Sequence, residues 1–295
     1  MTVDRALAFD ELVAATGNNL GIFSIPCLLC SPFRRKKRLR CMTVWHEGPD
    51  FIGYNCNHCG VHGSAAATGH ARHMTPERFQ YLRTAAIQLN AIRHRYSRNV
   101  AQGVWAKSLN VRGSPADTYL GSREINLLVW SATLRFLPAV PPTYPWPALV
   151  AAFGVPSEPE PGMLHIEERN VVGIQLTYIR RDGSGKAPVQ PNKRTIGSGH
   201  HMPIVIAPPN DNLGLVVAEG IEDALSAHAA TGLGAWAAAG ARRMPGLAEM
   251  VPAYMDQVTI IADDNEVGRQ GAKGLFVGLR ARGISAEIKL LKCEG

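Results

Sequence analysis

Two short apolar runs near the C-terminus show the clearest hydrophobic pattern of the chain. Residues 213–218 and 257–262 are rich in β-branched residues, and acidic residues follow each run. Short continuous apolar runs of this kind are typical of strands buried on both faces of a parallel sheet. A helical pattern comes after each run. We therefore predict a strand–acid–helix repeat, with the acids at the carboxyl ends of neighbouring strands.

Further elements are predicted around this repeat. Residues 235–239 and 284–291 have the composition of short strands, residues 266–282 have helical spacing, and residues 170–180 alternate like a strand. The predicted fold class is α/β with a Rossmann-like, mostly parallel sheet at the C-terminus.

The N-terminal half contains the patterns of several smaller elements. They are an amphipathic helix over 4–16, a hairpin over 39–54, one or two helices from Thr75-Pro76 to about Asn110, a short helix over 114–125, and a proline-dense linker or irregular surface crossing over 138–147. Pro76 is well placed for a helix start, because proline is favoured at the first helical position.

Composition narrows the classes of partner and location. The chain has 295 residues and a formal net charge of +7, which favours a polyanionic partner. No run of about 18 apolar residues is present, so we expect no membrane span. The N-terminus lacks the basic and apolar pattern of a secretory signal, so we expect a reducing, cytoplasmic location without disulfides.

Two Cys-x-x-Cys pairs provide the strongest local chemistry. Cys27 and Cys30 are separated from Cys56 and Cys59 by 25 residues, a spacing that matches a tetrahedral four-cysteine zinc ribbon. The alternatives are a redox dithiol, which needs only one pair, and four unrelated buried thiols. The predicted cofactor is one structural Zn²⁺.

Other residues near these pairs have less specific interpretations. His46, His58 and His62 are alternative zinc ligands, but isolated histidines near zinc knuckles are more often solvated or bind phosphate. Cys41 is predicted to be a packing residue. Three aromatic residues of this region either stack on bases or form the small core of the module. They are Trp45, Phe51 and Tyr54.

A basic loop lies between the two cysteine pairs. Residues 33–40 contain six cations, and their mutual repulsion favours an anionic partner such as a nucleic-acid backbone. The candidate DNA-binding side chains are Arg34, Arg35, Lys36, Lys37 and Arg38. The alternative is a solvated charged loop, which is the usual outcome for a charge run.

Two glycine-rich segments are candidate phosphate-binding sites. Residues 183–186 read Gly-Ser-Gly-Lys, but Arg180 stands where a P-loop needs glycine, and neither Ser nor Thr follows Lys186. We therefore predict no P-loop ATPase or helicase. Lys193 and Arg194 precede a glycine turn and are candidates for nucleoside-triphosphate binding, with a solvated loop as the alternative.

The acids at the predicted strand ends point to a divalent cation. Glu219 ends one apolar strand and Asp263 ends the next, and a carboxylate there is costly unless it is paired or bound to metal. Mg²⁺ or Mn²⁺ with oxygen ligands would relieve the repulsion and suits phosphoryl transfer. Glu222 and Asp223 fall in a first helical turn, where we interpret them as capping residues. The alternative for the whole region is an ordinary sheet with polar strand ends.

These motifs resemble those of a known family. Residues 54–65 resemble the second knuckle of the primase zinc ribbon, with four cysteines as in phage primase-helicases. Glu219-Gly220 resembles the first motif of the Toprim domain. Asp263-Asp264-Asn265, aligned by Gly268-Arg269, resembles its Asp-x-Asp motif. The segments 171–178, 185–188, 193–197 and 215–225 fit the Toprim primases of phages and mobile elements, so the resemblance covers most of the chain.

The resemblance implies a DNA primase that makes RNA primers on a single-stranded DNA template from nucleoside triphosphates, with a separate helicase as a candidate partner. It implies that Glu219 acts as a general base or metal-linked acid, and that Asp263, with Asp264 or Asn265, holds Mg²⁺. The predicted domains are a zinc ribbon (1–70), a helical connector (71–136), a primase-type α/β subdomain (137–210) and a Toprim domain (211–295).

One residue departs from the family pattern and keeps other functions open. Asn265 replaces the second aspartate of Asp-x-Asp, and its amide brings no negative charge. The metal site would then be weaker, or Asp264 would serve in its place. The alternatives to a primase are a Toprim nuclease or other strand-cleaving enzyme, and a non-catalytic, zinc-dependent DNA-binding accessory protein.

Overall fold

The computed structural model describes residues 6–17, 19–34, 37–48, 51–67, 76–125, 131–160, 163–197, 199 and 201–291. The chain divides into two compact units, residues 1–85 and 86–295. Each unit is described by itself below.

The first unit is a helix and an antiparallel sheet. Helix α1 (Phe9–Thr16) ends at Gly17, whose φ of 67° is the left-handed conformation that glycine tolerates best. The predicted start of this helix, at Asp4, lies outside the described residues. Four strands follow, and they lie side by side in the sheet in the same order as in the chain. They are β1 (Gly21–Pro26), β2 (Arg40–Gly48), β3 (Phe51–Cys56) and β4 (His62–Ala66).

The predicted hairpin is confirmed as the antiparallel pair β2–β3, in which Met42 lies opposite Cys56. Side chains from α1 and the sheet form a small core. Tyr54 is part of it, being 2 % exposed, and its hydroxyl accepts a hydrogen bond from the Leu7 N–H at 3.1 Å. The core interpretation therefore holds for Tyr54, whereas Trp45 and Phe51 are half-buried.

A long helix begins in the first unit and ends in the second. Helix α2 (Pro76–Ala106) follows the predicted start and is a single helix in the described residues. Its last turns contribute Ala101, Val104 and Trp105 to a core of the second unit. Helix α3 (Pro115–Gly121) begins at Ser114, whose hydroxyl accepts a hydrogen bond from the Ala116 N–H at 3.2 Å.

The second unit contains an antiparallel sheet and a small hairpin. In chain order the strands are β5 (Leu134–Leu137), β6 (Ala148–Phe153), β7 (Ser157–Glu160), β8 (Met163–His165), β9 (Gly173–Tyr178) and β10 (Lys193–Gly197). The sheet has the order β10-β9-β6-β5, and β7 pairs with β8. Because β5 pairs with β6, residues 138–147 connect two strands of one sheet. The linker interpretation of this segment is therefore wrong, and the boundary predicted at 136/137 falls inside β5.

A mostly parallel sheet forms the C-terminal part. Its strands are β11 (Ile204–Ala207), β12 (Gly214–Ala218), β13 (Gly234–Ala237), β14 (Gln257–Asp263) and β15 (Ser285–Leu291). Helix α4 (Ile221–Thr231) and helix α5 (Glu266–Ala281) are the predicted crossover helices, and a 3₁₀ segment spans Ala241–Met250. The order is β11-β13-β12-β14-β15, with only β11 antiparallel to its neighbour. The upstream strand β11 thus belongs to this sheet, ahead of the boundary predicted at 210/211.

Strand β12 lies at the centre of this sheet and is buried on both faces. Its residues alternate between two cores: Val216 and Ala218 belong to one, Leu215 and Val217 to the other. This burial explains the continuous apolar run in the sequence. No helix among the described residues is both long and apolar enough to span a membrane.

Candidate metal-binding and catalytic sites

The four predicted cysteines come together in the first unit. The Sγ atoms of Cys27, Cys30, Cys56 and Cys59 all lie within 4.8 Å of one another. Cys27 and Cys59 are 3.8 Å apart, and Cys30 and Cys56 are 3.9 Å apart. Tetrahedral ligands at a Zn–S distance of about 2.3 Å have S···S separations of roughly 3.8 Å. The four residues therefore fit a structural Zn²⁺.

Backbone hydrogen bonds orient these thiols. The Cys30 N–H donates to Cys27 Sγ and the His58 N–H donates to Cys56 Sγ, both at 3.4 Å. Burial raises the pKa of the Cys27 and Cys30 thiols. A bound cation is needed to hold them as thiolates, so zinc binding should release protons and weaken as the pH falls.

The neighbouring residues behave differently from the four ligands. No histidine belongs to the ligand group within the described part of the chain, and His46 is buried beside Thr16. Cys41 lies outside the group, although its Sγ is 3.8 Å from Cys56 Sγ and accepts a hydrogen bond from the Arg34 guanidinium at 3.1 Å. Arg34 therefore contacts a cysteine that lies next to the four candidate zinc ligands.

The rest of the basic loop is only partly described. Lys37 and Arg38 are exposed. Arg35 and Lys36 lie outside the described residues, so their predicted contact with DNA stays a prediction, as it does for the other three candidates, Arg34, Lys37 and Arg38.

In the second unit, the two predicted acids lie at adjacent strand ends. Strands β12 and β14 are parallel, with Ala218 opposite Ile261, so Glu219 and Asp263 emerge at the same edge of the sheet. The Asp263 N–H points at Glu219 Oε2 across 3.4 Å. Both residues line a cavity of 340 Å³. Its other lining residues are Arg123, Gln175, Lys186, Lys193, Gly220, Glu222, Asp223, Ala239 and Gly240.

Burial and neighbouring acids raise the pKa of two carboxylates in this cavity, Glu219 and Asp223. Burial, and then the charges of Asp263 and Asp223, raise the pKa of Glu219. Burial, and then Glu222 and Asp263, raise that of Asp223. Neither Glu219 nor Asp263 has an ion-pair partner among the described residues. Oxygen ligands that destabilise one another suit a hard divalent cation, which would neutralise them.

Unlike the four cysteines, the acids of the cavity do not form a complete set of metal ligands. Within the described residues, the four cysteines are the one group of three or more thiol, imidazole or carboxylate ligand atoms that lie within 4.8 Å of one another. An incomplete ligand shell leaves positions for water or substrate oxygens, as Mg²⁺ sites commonly do.

The other two residues of the Asp-x-Asp-like motif interact with the first turn of α5. The Asn265 side-chain oxygen accepts a hydrogen bond from the Gly268 N–H at 2.9 Å and so caps the helix. Asp264 pairs with Arg269 at 2.6 Å. Neither residue lines the cavity. The prediction that one of them ligates metal stays a prediction.

Gly268 explains why this turn fits so tightly. A Cβ at this position would collide with the backbone of Asp263. Only glycine therefore allows the first turn of α5 to pack directly against the end of β14, where it presents Asp263 to the cavity.

Substitution of Asn265 separates its capping role from a role in metal binding. Asn265→Ala is expected to cost about 1 kcal/mol of stability, because it removes the cap. Asn265→Asp keeps a capping oxygen and adds the charge that the family motif has, so we expect unchanged stability and tighter Mg²⁺ binding. Urea unfolding and Mg²⁺ titration by calorimetry would measure the two effects. Equal Mg²⁺ affinity in wild type and Asn265→Asp would exclude this position from the metal site.

A partly buried ion-pair cluster lines the same cavity. Glu222 pairs with Lys193 at 3.4 Å and Lys186 at 3.5 Å, and its Oε1 accepts a hydrogen bond from the Tyr119 hydroxyl at 2.8 Å. Burial alone would raise the pKa of Glu222, but the charges of Lys193 and Lys186 outweigh it and lower the pKa to about 2. Burial, and then the Glu222 charge, raise the pKa of Tyr119.

This cluster corrects the interpretation of Glu222 as a helix cap. Helix α4 begins at Gly220 without a side-chain cap, and Glu222 instead binds two lysines from other elements. The interpretation fits Asp223 better, because the Gly220 backbone N–H is one of the groups that stabilise its carboxylate. Asp223 nevertheless also lines the cavity.

Loss of the Glu222 charge should destabilise the second unit. Glu222→Ala leaves two lysines and a buried tyrosine hydroxyl without their partner, for which we expect a loss of about 1–3 kcal/mol, since the lysines keep part of their hydration. Because the pKa of Glu222 is lowered, its contribution is present above about pH 4.5 and is lost as the pH falls towards 2. Urea unfolding at pH 7 and at low pH would show this difference shrinking.

Glu249→Gln provides the matched control, because Glu249 is exposed. A loss for Glu222→Ala no larger than that of the control would contradict the energetic importance of the cluster.

Two more residues lining the cavity have unusual features. The buried Oε1 of Gln175 has no hydrogen-bond partner among the described residues. Ala239 has a φ of 59°, which is rare for a residue with a side chain. An unpaired buried acceptor and a strained backbone are both common at ligand sites.

The structure separates the two predicted nucleotide-binding cations. Lys193 lines the cavity, whereas Arg194 is exposed and does not line it. Successive side chains of a strand point to opposite faces, which accounts for the difference between these neighbours in β10. Lys186 takes the second cationic position instead. Its sequence context does not form a P-loop and predicts no role for it, although the segment Gly-Lys-Ala-Pro is one of those that fit the family.

Comparison with known proteins places families on the second unit. Residues 214–294 match the model of the Toprim domain, and residues 95–206 match that of a domain of unknown function (DUF7146). None of the curated proteins matches the chain.

Two solved structures are similar to the chain at low identity. The primase fragment of the bacteriophage T7 primase-helicase protein is 14% identical, with 91% of this chain and 90% of that chain covered and a TM-score of 0.34. The Aquifex aeolicus primase (zinc-binding and RNA polymerase domains) is also 14% identical, with 97% and 78% covered and a TM-score of 0.41. At these TM-scores the two likenesses support no statement about activity.

The Toprim match falls on the unit that the motifs indicated. It includes β12 with Glu219, β14 with Asp263, and both crossover helices. The chain thus carries a C-terminal Toprim domain, with its acidic residues at the strand ends, and a four-cysteine group of zinc-ligand geometry in its N-terminal unit.

Proposed function

We propose that this protein is a DNA primase, which makes RNA primers on single-stranded DNA by metal-dependent nucleotidyl transfer. The observation that carries the proposal is the cavity at the strand ends of the Toprim sheet, which is lined by both the acids Glu219 and Asp263 and the lysines Lys186 and Lys193. Acids that attract a divalent cation and lysines that attract phosphate are the two components that nucleotidyl transfer requires.

Glu219 and Asp263 would hold Mg²⁺ or Mn²⁺ in this function, with Asp264 or Asn265 as a further predicted ligand. When bound, such an ion stabilises the charge that develops on phosphoryl oxygens during in-line displacement. In the alternative role of general base, the Glu219 carboxylate would accept the proton of the attacking 3′-hydroxyl, and burial, which raises its pKa, suits proton acceptance.

Lys193 and Lys186 would bind the triphosphate of the incoming nucleotide. Both ammonium groups are held by Glu222 and are only partly exposed, so they face the cavity with little freedom to move away. Arg194, also predicted to bind nucleotide, would then contact the template or solvent from the opposite face of β10.

The zinc ribbon and its basic loop would bind template DNA. Arg34, Arg35, Lys36, Lys37 and Arg38 supply the charge for phosphate contact. The partners in this function are single-stranded DNA and nucleoside triphosphates, with a separate replicative helicase as a candidate protein partner.

A primer-synthesis assay tests the proposal. Purified protein is incubated with circular single-stranded DNA, labelled nucleoside triphosphates and Mg²⁺ or Mn²⁺, and short RNA products are resolved on a gel. Template-dependent RNA is the expected result. Absence of RNA with both metals would refute the primase function, and nicked or degraded template would identify a nuclease instead.

A second function is favoured by the state of the Asp-x-Asp-like motif. Asn265 caps α5 and Asp264 pairs with Arg269, so both residues already have partners. A Toprim domain with a reduced ligand set would suit a non-catalytic DNA-binding accessory protein. That protein would bind single-stranded DNA in the same assay and yield neither RNA nor cleaved template.

A further inference from the structure

A shallow groove lies on the second unit beside the turn of residues 180–186. Its volume is 510 Å³, and it is lined by Trp146, Arg180, Arg181, Asp182 and Pro188. Trp146 is half-exposed and both arginines are exposed. An indole ring and two guanidinium groups therefore share one solvent-facing concavity.

The turn that carries the arginines is held in place by its own backbone. The Arg180 N–H donates to the Gly185 carbonyl at 2.8 Å, and the Gly183 N–H donates to the Arg180 carbonyl at 3.0 Å. Gly183 has a φ of 75° and packs against the carbonyl of Pro115 with no room for a Cβ. The arginines thus project from an ordered scaffold, which lowers the entropic cost of binding a ligand.

Two hydrogen bonds hold charged side chains of the groove in place. The Arg181 guanidinium donates to the Pro145 carbonyl at 3.3 Å, which holds it next to the segment that bears Trp146. The Asp182 carboxylate accepts a hydrogen bond from the Ser184 N–H at 3.0 Å. The two arginines and the one carboxylate leave an excess of positive charge, so the groove complements an anion.

The same turn contributes residues to both the groove and the acidic cavity. Ile179 forms an antiparallel bridge with Lys186, and the Cα atoms of directly opposed residues lie about 5 Å apart. Arg180 follows Ile179 directly, while Lys186 lines the cavity of Glu219 and Asp263.

We propose that Trp146, Arg180 and Arg181 form a contact site for single-stranded nucleic acid. The indole stacks on a base, and the guanidinium groups bind the adjacent backbone phosphates. Stacking on an aromatic ring tolerates any base, and guanidinium groups match phosphate oxygens in charge and geometry. The assignment rests on the proposed function.

Binding of two strands of equal length, oligodeoxythymidylate and an abasic strand, tests the site by fluorescence anisotropy with the full chain. Trp146→Ala should weaken oligodeoxythymidylate binding about tenfold and leave abasic binding unchanged, because only the stacked base is lost. Arg180→Gln should weaken both, and should lower the slope of log K against log salt concentration by about 0.7.

Control variants guard against general effects. Trp146→Phe keeps an aromatic ring and should retain most of the affinity, which a folding defect would not allow. Tyr254→Ala and Arg280→Gln remove an exposed aromatic and an exposed cation elsewhere in the unit and should change nothing.

Two results would overturn the assignment. One is an equal loss of affinity for both strands in Trp146→Ala, and the other is an unchanged salt dependence of binding in Arg180→Gln. If the variants show the predicted losses of binding but wild-type protein makes no primer, the proposed function is refuted and the nucleic-acid site in the groove is supported.

Discussion

Glu219→Gln is expected to abolish primer synthesis without destabilising the protein. The substitution keeps the size of the side chain and removes the charge that both metal binding and proton acceptance need, so we expect a fall in rate of at least about 10²-fold. Burial and the neighbouring Asp263 raise the pKa of Glu219, so its ionised form opposes folding at neutral pH. Without Mg²⁺, the variant should therefore be at least as stable as wild type.

Mg²⁺ should reverse this order of stability. A cation that binds only the folded state raises the melting temperature of wild type, and it should raise that of Glu219→Gln much less. Melting curves with and without Mg²⁺, together with the primer assay, measure both effects. Glu249→Gln is the control for removal of an exposed carboxylate and should behave as wild type. Equal primer synthesis by Glu219→Gln would refute the catalytic role, and an equal Mg²⁺ shift would refute the metal role.

The acidic half of the cavity was predictable from the sequence because its residues follow a local rule. Glu219 and Asp263 come directly after continuous apolar runs, and parallel strands place their carboxyl ends at one edge. The cationic half follows no such rule. Lys186 and Lys193 come from a turn and an antiparallel strand of another sheet, and they meet Glu222 only through long-range packing.

Glu222 illustrates the limit of interpretation by position. Its place in the first turn of α4 agrees with favourable interaction with the helix dipole, which describes many exposed acids. Its side chain is instead buried against Tyr119, a residue 103 positions earlier in the chain. Spacing along one helix contains no information about such a distant partner. In the same way, the local pattern of β11 does not show that it pairs with β13 and so joins the Toprim sheet.

Cys56→Ser is expected to remove zinc and unfold the first unit, while Cys41→Ser should do neither. The two cysteines lie close together, with their Sγ atoms 3.8 Å apart, but only Cys56 belongs to the four-thiol group. Zinc contributes on the order of 10 kcal/mol to the folding of small ribbon modules, far more than the core of this unit supplies. Cys41 accepts a hydrogen bond from Arg34, so its loss should cost only about 1 kcal/mol.

Metal analysis and limited proteolysis would distinguish the two variants. Wild type and Cys41→Ser should each contain one zinc per chain, and Cys56→Ser should contain none. Proteolysis of Cys56→Ser should begin in the first unit, because the second unit has its own buried cores, and the melting transition of the Toprim domain should persist. Chelation of zinc from wild type should reproduce the cleavage pattern of Cys56→Ser. Full zinc content in Cys56→Ser, or its loss in Cys41→Ser, would mean that the ligand set is not the four thiols whose geometry fits a tetrahedral ion.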